Sequence, residues 1–314
     1  MTEFDYDPST QMLCGFPPIR KLGAVSGSGE SSPFFRGGRA YRLELCDPSR
    51  GTDAKAVTRA LIRDRETGEI LSRFGEGCYY YSLFAEPDGD VLVLGTVSLP
   101  GKLCGETVRL FRSSDLVHWT ARDLFTRPGW QYYNTSLARG PEGYVLLLEA
   151  GAPAEEVGPR PFTFFFAASP DLERWTFWDR SRSFSQERYM GGPWMTFCRG
   201  FYYVISVTEL PCRRYSNYLY RTADFRDWQV GLYVPLLSPD ERDRAIAPGA
   251  DLTPEQRAAI PTGMLTSSSD MDLCETPDGR TLITYNVGNQ LGFYYLCEAV
   301  CDRPLADFLE NNFQ

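Results

Sequence analysis

The chain is poor in several things that would narrow its chemistry. Its 314 residues hold a single histidine, His118, so sites built on paired imidazoles are excluded. Nine cysteines are scattered without a CxxC spacing, which excludes the common zinc and thiol-redox signatures. Cys46, Cys198, Cys274 and Cys297 lie in apolar runs and read as small core residues of a reducing, cytoplasmic protein. No stretch approaches the roughly 18 apolar residues of a membrane span, and the opening "MTEFDYDPST" lacks the basic end and apolar run of a secretory signal. Positive charge is also short. The 32 Lys and Arg against 41 Asp and Glu leave a net charge of −9, which repels a phosphate backbone or an anionic lipid surface. Nucleic acid and membrane are not expected as partners, and oligomeric state is left open.

What the chain does have is aromatic and apolar residues. Hydrophobic residues make up 43% of it and aromatics 14%, including 18 Tyr and 6 Trp, enough for a large core with rings left over for an interface or a sugar. It also repeats itself. "LFRSSDLVHW" (110–119), "FAASPDLERW" (166–175) and "LYRTADFRDW" (219–228) each place an apolar residue directly after an Asp and a Trp four after it, and the Asp positions 115, 171 and 224 are 56 and 53 residues apart. A second signal, a glycine turn between two β-rich runs, recurs around Gly38, Gly89, Gly143, Gly200 and Gly279. Two hairpins per unit and five units predict an all-β fold: a single five-bladed β-propeller over residues 1–314, with four antiparallel strands, A to D, in each blade. The repeated Asp reads as a turn former whose carboxylate accepts a backbone N–H two residues on. The Trp and the apolar residue fill space between blades.

The last interval is longer. Within it, "SPDE" (238–241) and "TPEQ" (253–256) read as capping-box helix starts, each with a hydroxyl cap, Pro at the first helical position and an acid or amide two residues later. A helical insertion over about 238–267, between blades four and five, is expected to help wall the site.

Antiparallel order puts the starts of strand A, the ends of strand B and the starts of strand C on one face. The Asp…Trp turns, and with them His118, fall on the other. The first face gathers carboxylates and rings. Strand A starts bring Glu30, Tyr79 to Tyr81, Asn134, Glu187, Arg188 and Asp270. Strand B ends bring Glu44, Glu149, Glu209 and Asn286, with Gln290 just beyond. Carboxylates crowded into a partly dry site acquire separated pKa values, as a general acid and base require. Glu149 follows "VLLL", an apolar run expected to leave its carboxyl poorly solvated and suited to the acid role. Asp270 follows "TSSS", where small side chains let a substrate approach, and is expected to serve as base or nucleophile. Glu30 and Glu209 are reserves. Asn134, Arg188, Glu44 and Gln290 are candidates for sugar hydroxyls, and Tyr80 and Trp130 for stacking on a sugar ring. This architecture has an axial channel that could take an ion, but no ligand cluster argues for one and no cofactor is expected.

The five units, "SSDLVHW" and "SPDLERW" in the C–D turns, and "GFYYV" after an A–B turn resemble the arabinanase, β-xylosidase and invertase-like glycoside hydrolases. The resemblance covers nearly the whole chain. It implies a propeller that hydrolyses a small oligosaccharide or glycoside, with an Asp base opening strand A of blade one, an Asp in blade two and a Glu acid in blade three. Here those positions hold Glu30, "YYYS" and Asn134, so the chain reads as a divergent member whose acids sit elsewhere. A carbohydrate-binding propeller without activity is the alternative. A sialidase-like enzyme is a weaker one: the Asp…Trp turns lack that motif's Gly-x-Thr, and an arginine cluster would be needed from Arg188, Arg213 and Arg214.

Overall fold

The computed structural model describes residues 19–47, 57–87, 89–158, 162–184, 189–212, 214–289 and 291–313, with a short ladder of β1 (Tyr6–Asp7) and β2 (Met12–Leu13) before them. After β3 (Ile19–Ser26) the chain builds four blades in sequence order. Blade one is β4 (Ser31–Arg36), β5 (Arg39–Cys46), β6 (Arg59–Asp64) and β7 (Ile70–Phe74). Blade two is β8 (Cys78–Ala85), β9 (Val91–Val97), β10 (Thr107–Ser113) and β11 (Thr120–Thr126). Blade three is β12 (Gln131–Gly140), β13 (Gly143–Ala152), β14 (Thr163–Ser169) and β15 (Thr176–Phe177), with the single-turn helix α1 (Ala154–Val157) between the second and third strands. Blade four is β16 (Met190–Cys198), β17 (Phe201–Leu210), β18 (Arg214–Thr222) and β19 (Gln229–Val230). Each is an antiparallel sheet, so the five-unit reading of the sequence holds.

The fifth blade departs from four consecutive strands. The segment after blade four carries a 3-10 turn over 241–244, strand β20 (Ile246–Asp251) and helix α2 (Pro254–Ala259). Then come β21 (Ser267–Glu275), β22 (Thr281–Gly288) and β23 (Tyr294–Cys301). The chain turns next into helix α3 (Leu305–Glu310) and, among the described residues, supplies no outer strand after β23. That place is taken by β3, which pairs antiparallel with β23 from Ile19–Cys301 to Ser26–Leu296, and β20 adds a parallel fifth strand outside it. Distant parts of the chain thus share one sheet, and the ring is closed by backbone hydrogen bonds.

The repeated turns do what their composition dictates. Asp115 Oδ1 accepts the N–H groups of Val117 and His118 at 2.9 and 2.8 Å, and Asp171 and Asp224 hold their turns in the same way. The residue after each Asp is buried in a left-handed conformation: Leu116 at φ +67°, Leu172 at +64° and Phe225 at +58°. Trp119 stacks on Phe74 of the preceding blade at 3.9 Å between ring centroids, and Trp228 packs on Phe166 and Phe184.

Four apolar clusters fill the seams between successive blades, from one–two through four–five. Among the described residues the closing seam, five to one, is held by charge instead. Arg42 donates to Glu44 at 3.0 Å and to Glu298 at 2.8 Å, Arg63 donates to Glu44 at 3.0 Å, and Arg65 reaches Glu298 at 2.9 Å.

Of the two expected helix starts, the second stands as read. Thr253 Oγ1 accepts from Gln256 N at 3.2 Å, Gln256 Oε1 accepts from Thr253 N at 2.9 Å, and Pro254 follows the cap. The first is shifted. Asp240, not Ser238, is the cap: its side chain accepts from Arg242 N at 2.8 Å, and the Ser238 carbonyl is engaged by Lys21 Nζ at 2.6 Å. Lys21 also pairs with Asp240 and the fully buried Asp243, which receives the Tyr285 hydroxyl at 2.6 Å. The insertion is therefore clamped to blade five, and residues 238–266 contribute none of the described lining of the axial cavity.

Candidate active site

Strand A does not run straight at its inner end. In blades two to five its register slips by one residue: between Tyr79 and Ser82, Tyr132 and Thr135, Gly191 and Trp194, and Ser269 and Asp272. Each slip is a β-bulge in which two residues of strand A oppose one of strand B, and a bulge turns a side chain out of the regular alternation. The first bulge residue is left-handed in three blades: Tyr80 at φ +56°, Gly192 at +50° and Asp270 at +47°. Tyr and Asp in that region mark an over-determined site. The single residue opposite the blade-three bulge is Glu149.

Five strand-A ends converge on a narrow axial cavity with space for little more than a water molecule. Glu30 and Ser31 come from the start of blade one, Ser82 from blade two, Asn134 from blade three, Gly192 from blade four, and Asp270 and Asp272 from blade five. Glu149 lies behind this lining. Its Oε2 accepts from Asn134 Nδ2 at 2.9 Å and from Gly192 N at 3.1 Å. Gly192 also abuts the second carboxylate, since a Cβ there would collide with Asp270 Oδ1. One glycine thus touches both acids, and its missing side chain is what lets them share the site.

Burial dominates the electrostatics. It pushes the Glu149 carboxyl up to about 8, against the pull of the Asn134 and Gly192 hydrogen bonds and with help from the Asp270 charge. Glu149 therefore carries a proton at neutral pH. Asp270 is raised by burial, with Ser269 and Asn286 opposing. Asp272 is pushed up to about 7 by burial, opposed by the Ser32 hydroxyl that donates to it and raised further by Asp270. Carboxyls this close titrate as a group, and charge is best solvated on the members with an edge open to the cavity. These are Asp270 and Asp272, whereas Glu149 is 1% exposed. The site then sets a buried proton donor beside carboxyls better able to carry charge.

The structure brings together Glu149, Asp270, Asn134, Glu30 and Tyr80. Burial raises the Tyr80 hydroxyl well above its ordinary range, with the Glu30 and Glu149 charges adding to the effect, so it stays a donor. Three expected residues are placed elsewhere. Glu44 is locked between Arg42 and Arg63 in the closing seam. Trp130 is 7% exposed, stacked on Tyr132 at 5.5 Å with the Arg127 guanidinium over its ring at 3.9 Å, and belongs to the seam between blades two and three. Glu209 follows the buried Thr208, and strand alternation turns it out to solvent. Arg188 and Gln290 lie outside the described residues, as does Arg213. His118 is exposed in its turn and bonded to Asp115 at 2.7 Å, away from the cavity. Sequence reading missed Asp272, whose signal was present as the i, i+2 pair in "SSSDMD". It also missed Gly192, which nothing in "YMGGPW" ties to an acid.

No sequence-family model matches this chain, and no curated protein matches it by sequence. The likeness is structural. The chain shares its five-bladed propeller with glycoside hydrolases. BT0996, in a structure of its RGII complex, superposes with a TM-score of 0.63 at 13% identity, over 91% of this chain and 92% of that one. A xylan beta-1,4-xylosidase from Bacillus halodurans C-125 gives 0.59 at 14% identity, over 89% of this chain and 53% of that longer one. A Bombyx mori GH32 beta-fructofuranosidase gives 0.56 at 10% identity, over 93% and 62%. At these identities the shared property is the fold.

Proposed function

We propose that this protein is a glycoside hydrolase that removes a terminal sugar from a small oligosaccharide or glycoside. The observation that carries the reading is the pairing of a buried, protonated Glu149 with Asp270 across Gly192. Glu149 would give its proton to the glycosidic oxygen as the bond breaks. Asp270, with Asp272 beside it, would face the oxocarbenium-like centre as base or nucleophile. Asn134 orients Glu149, and Tyr80 and Glu30 would meet sugar hydroxyls. The narrow axial cavity supports exo action, because it has no room for the middle of a chain. Among the described residues no Arg or Lys lines it, which favours a neutral sugar and removes support from the sialidase-like reading. A binding-only propeller remains the second reading, favoured by the absence of acids at the blade-two and blade-three positions that the resemblance implies.

A panel of 4-nitrophenyl glycosides tests this: turnover of any member is expected, and none would leave the binding-only reading. On the accepted sugar, Glu149→Gln and Asp270→Asn should each lower kcat by roughly two to four orders of magnitude with no fall in Tm. A glycoside with a very good leaving group needs little protonation and should suffer far less from Glu149→Gln. Equal losses for good and poor leaving groups would move the acid role away from Glu149.

A further inference from the structure

Among the described residues, Tyr80, Tyr133, Phe162, Tyr189 and Tyr215 are half-buried aromatic side chains on the cavity face that lie outside the four apolar seams. They come from bulges or strand starts in blades two, three and four, and they form a continuous row. Tyr80 meets Tyr133 at 5.5 Å, Tyr133 meets Phe162 at 4.8 Å, Phe162 meets Tyr189 at 5.0 Å and Tyr189 meets Tyr215 at 5.6 Å between centroids. The row bends round one group. Tyr80, Tyr133 and Tyr189, spread over three blades, all have hydroxyls raised first by burial and then in part by the Glu149 charge. Two glycines make room for it. A Cβ at Gly151 would stand 2.8 Å from the Tyr133 ring, and a Cβ at Gly191 would collide with the Tyr189 hydroxyl and stand 3.2 Å from Glu149 Oε1.

We propose that this row is the wall of a subsite beside Glu149 that takes an uncharged aromatic aglycone, so that the preferred substrates are glycosides of aromatic alcohols or phenols. The inference rests on the hydrolase reading, since a general acid stands next to the leaving group and rings gathered round it face the aglycone. Neighbouring rings meet at 59 to 80°, so edges and faces alternate along the wall. A further ring fits such a surface edge-to-face, whereas a sugar stacks on one flat exposed face. The carboxyls close by and the net charge of −9 disfavour an anionic guest.

Benzyl and ethyl glycosides of the accepted sugar test this, because they leave as alcohols of similar acidity and differ in the ring. The benzyl glycoside should be hydrolysed with a kcat/KM about tenfold higher, the worth of one or two good ring contacts. Phe162→Ala should bring that ratio close to one. Tyr215→Ala, on a different strand, is the second variant and should lower it as well. Benzyl alcohol alone, followed by saturation-transfer NMR, should contact the wild-type protein and lose that contact in both variants. A ratio near one in the wild type, or a ratio that survives both substitutions, overturns the aromatic subsite while leaving the hydrolase standing. Benzyl alcohol contact that both variants abolish, with no glycoside turned over, supports the ring wall and removes the hydrolase reading.

Discussion

At the scale of single residues, Glu149 couples chemistry to stability. Its folded pKa lies above its unfolded value, so between pH 4.5 and about 8 the unfolded chain gives up a proton that the native chain keeps. Stability is lost as pH rises through that window, by an amount of order 3 kcal/mol at pH 7. Glu149→Gln removes this loss. The variant should match the parent near pH 4 and be the more stable of the two at pH 8, and chemical denaturation at both values measures it. A gap that does not widen with pH would mean that Glu149 ionises freely. Gly192→Ala should behave in the opposite way, because the added carbon runs into Asp270 Oδ1 from a left-handed backbone. Loss of turnover together with a lower Tm is expected. His118→Asn should leave both unchanged, since His118 is exposed and touches only its own turn. The apolar run before Glu149 made its burial legible in the sequence. The pairing of Glu149 with Gly192 was not, because a backbone N–H carries no sequence signature.

Elements were legible to the extent that they follow local rules. The hairpin glycines, the Asp…Trp turns and the Thr253 cap are short-range chemistry, and each stands where the sequence placed it. The bulges are not short-range: a one-residue slip shows only against the partner strand, and here it decides which side chains enter the cavity. Strand β3 was equally hidden. "IRKLGAVS" carries no repeat marker, and its partners lie 270 to 282 residues away. Its buried Lys21, 2% exposed and bonded to Asp240 and Asp243, fastens the insertion. Lys21→Met would leave the Asp243 carboxylate without a cation in a dry pocket, while Asp240 keeps Arg242, and should cost about 3–5 kcal/mol. Denaturant titration with a loss below 1 kcal/mol would show that the insertion is anchored by its apolar residues alone. Deleting 238–266 outright should destabilise the fold as well, because Leu252 and Ile260 belong to the seam between blades four and five.

For the whole molecule, the fold class was readable because a propeller repeats its signals, and repetition outweighs the ambiguity of any one strand. What the repeats could not convey is how the ring closes, since closure happens once. Removing residues 1–26 takes a strand from blade five and leaves β20 without its neighbour, so a chain starting at residue 27 should lose its sharp thermal transition. A cooperative melt within a few degrees of the full chain, followed by circular dichroism, would show that β3 is dispensable. The same closure sets an order of events during translation. Strand β3 leaves the ribosome before every other strand of its blade, and β23, which it must join, is made last of all the strands. At ordinary elongation rates the wait is on the order of tens of seconds. Blades one to four can fold in that interval while β3 has no mate within its own blade. A nascent chain stalled short of residue 294 would therefore carry an open sheet edge, a template for pairing with other chains, and synthesis speed through the last blade becomes a determinant of yield.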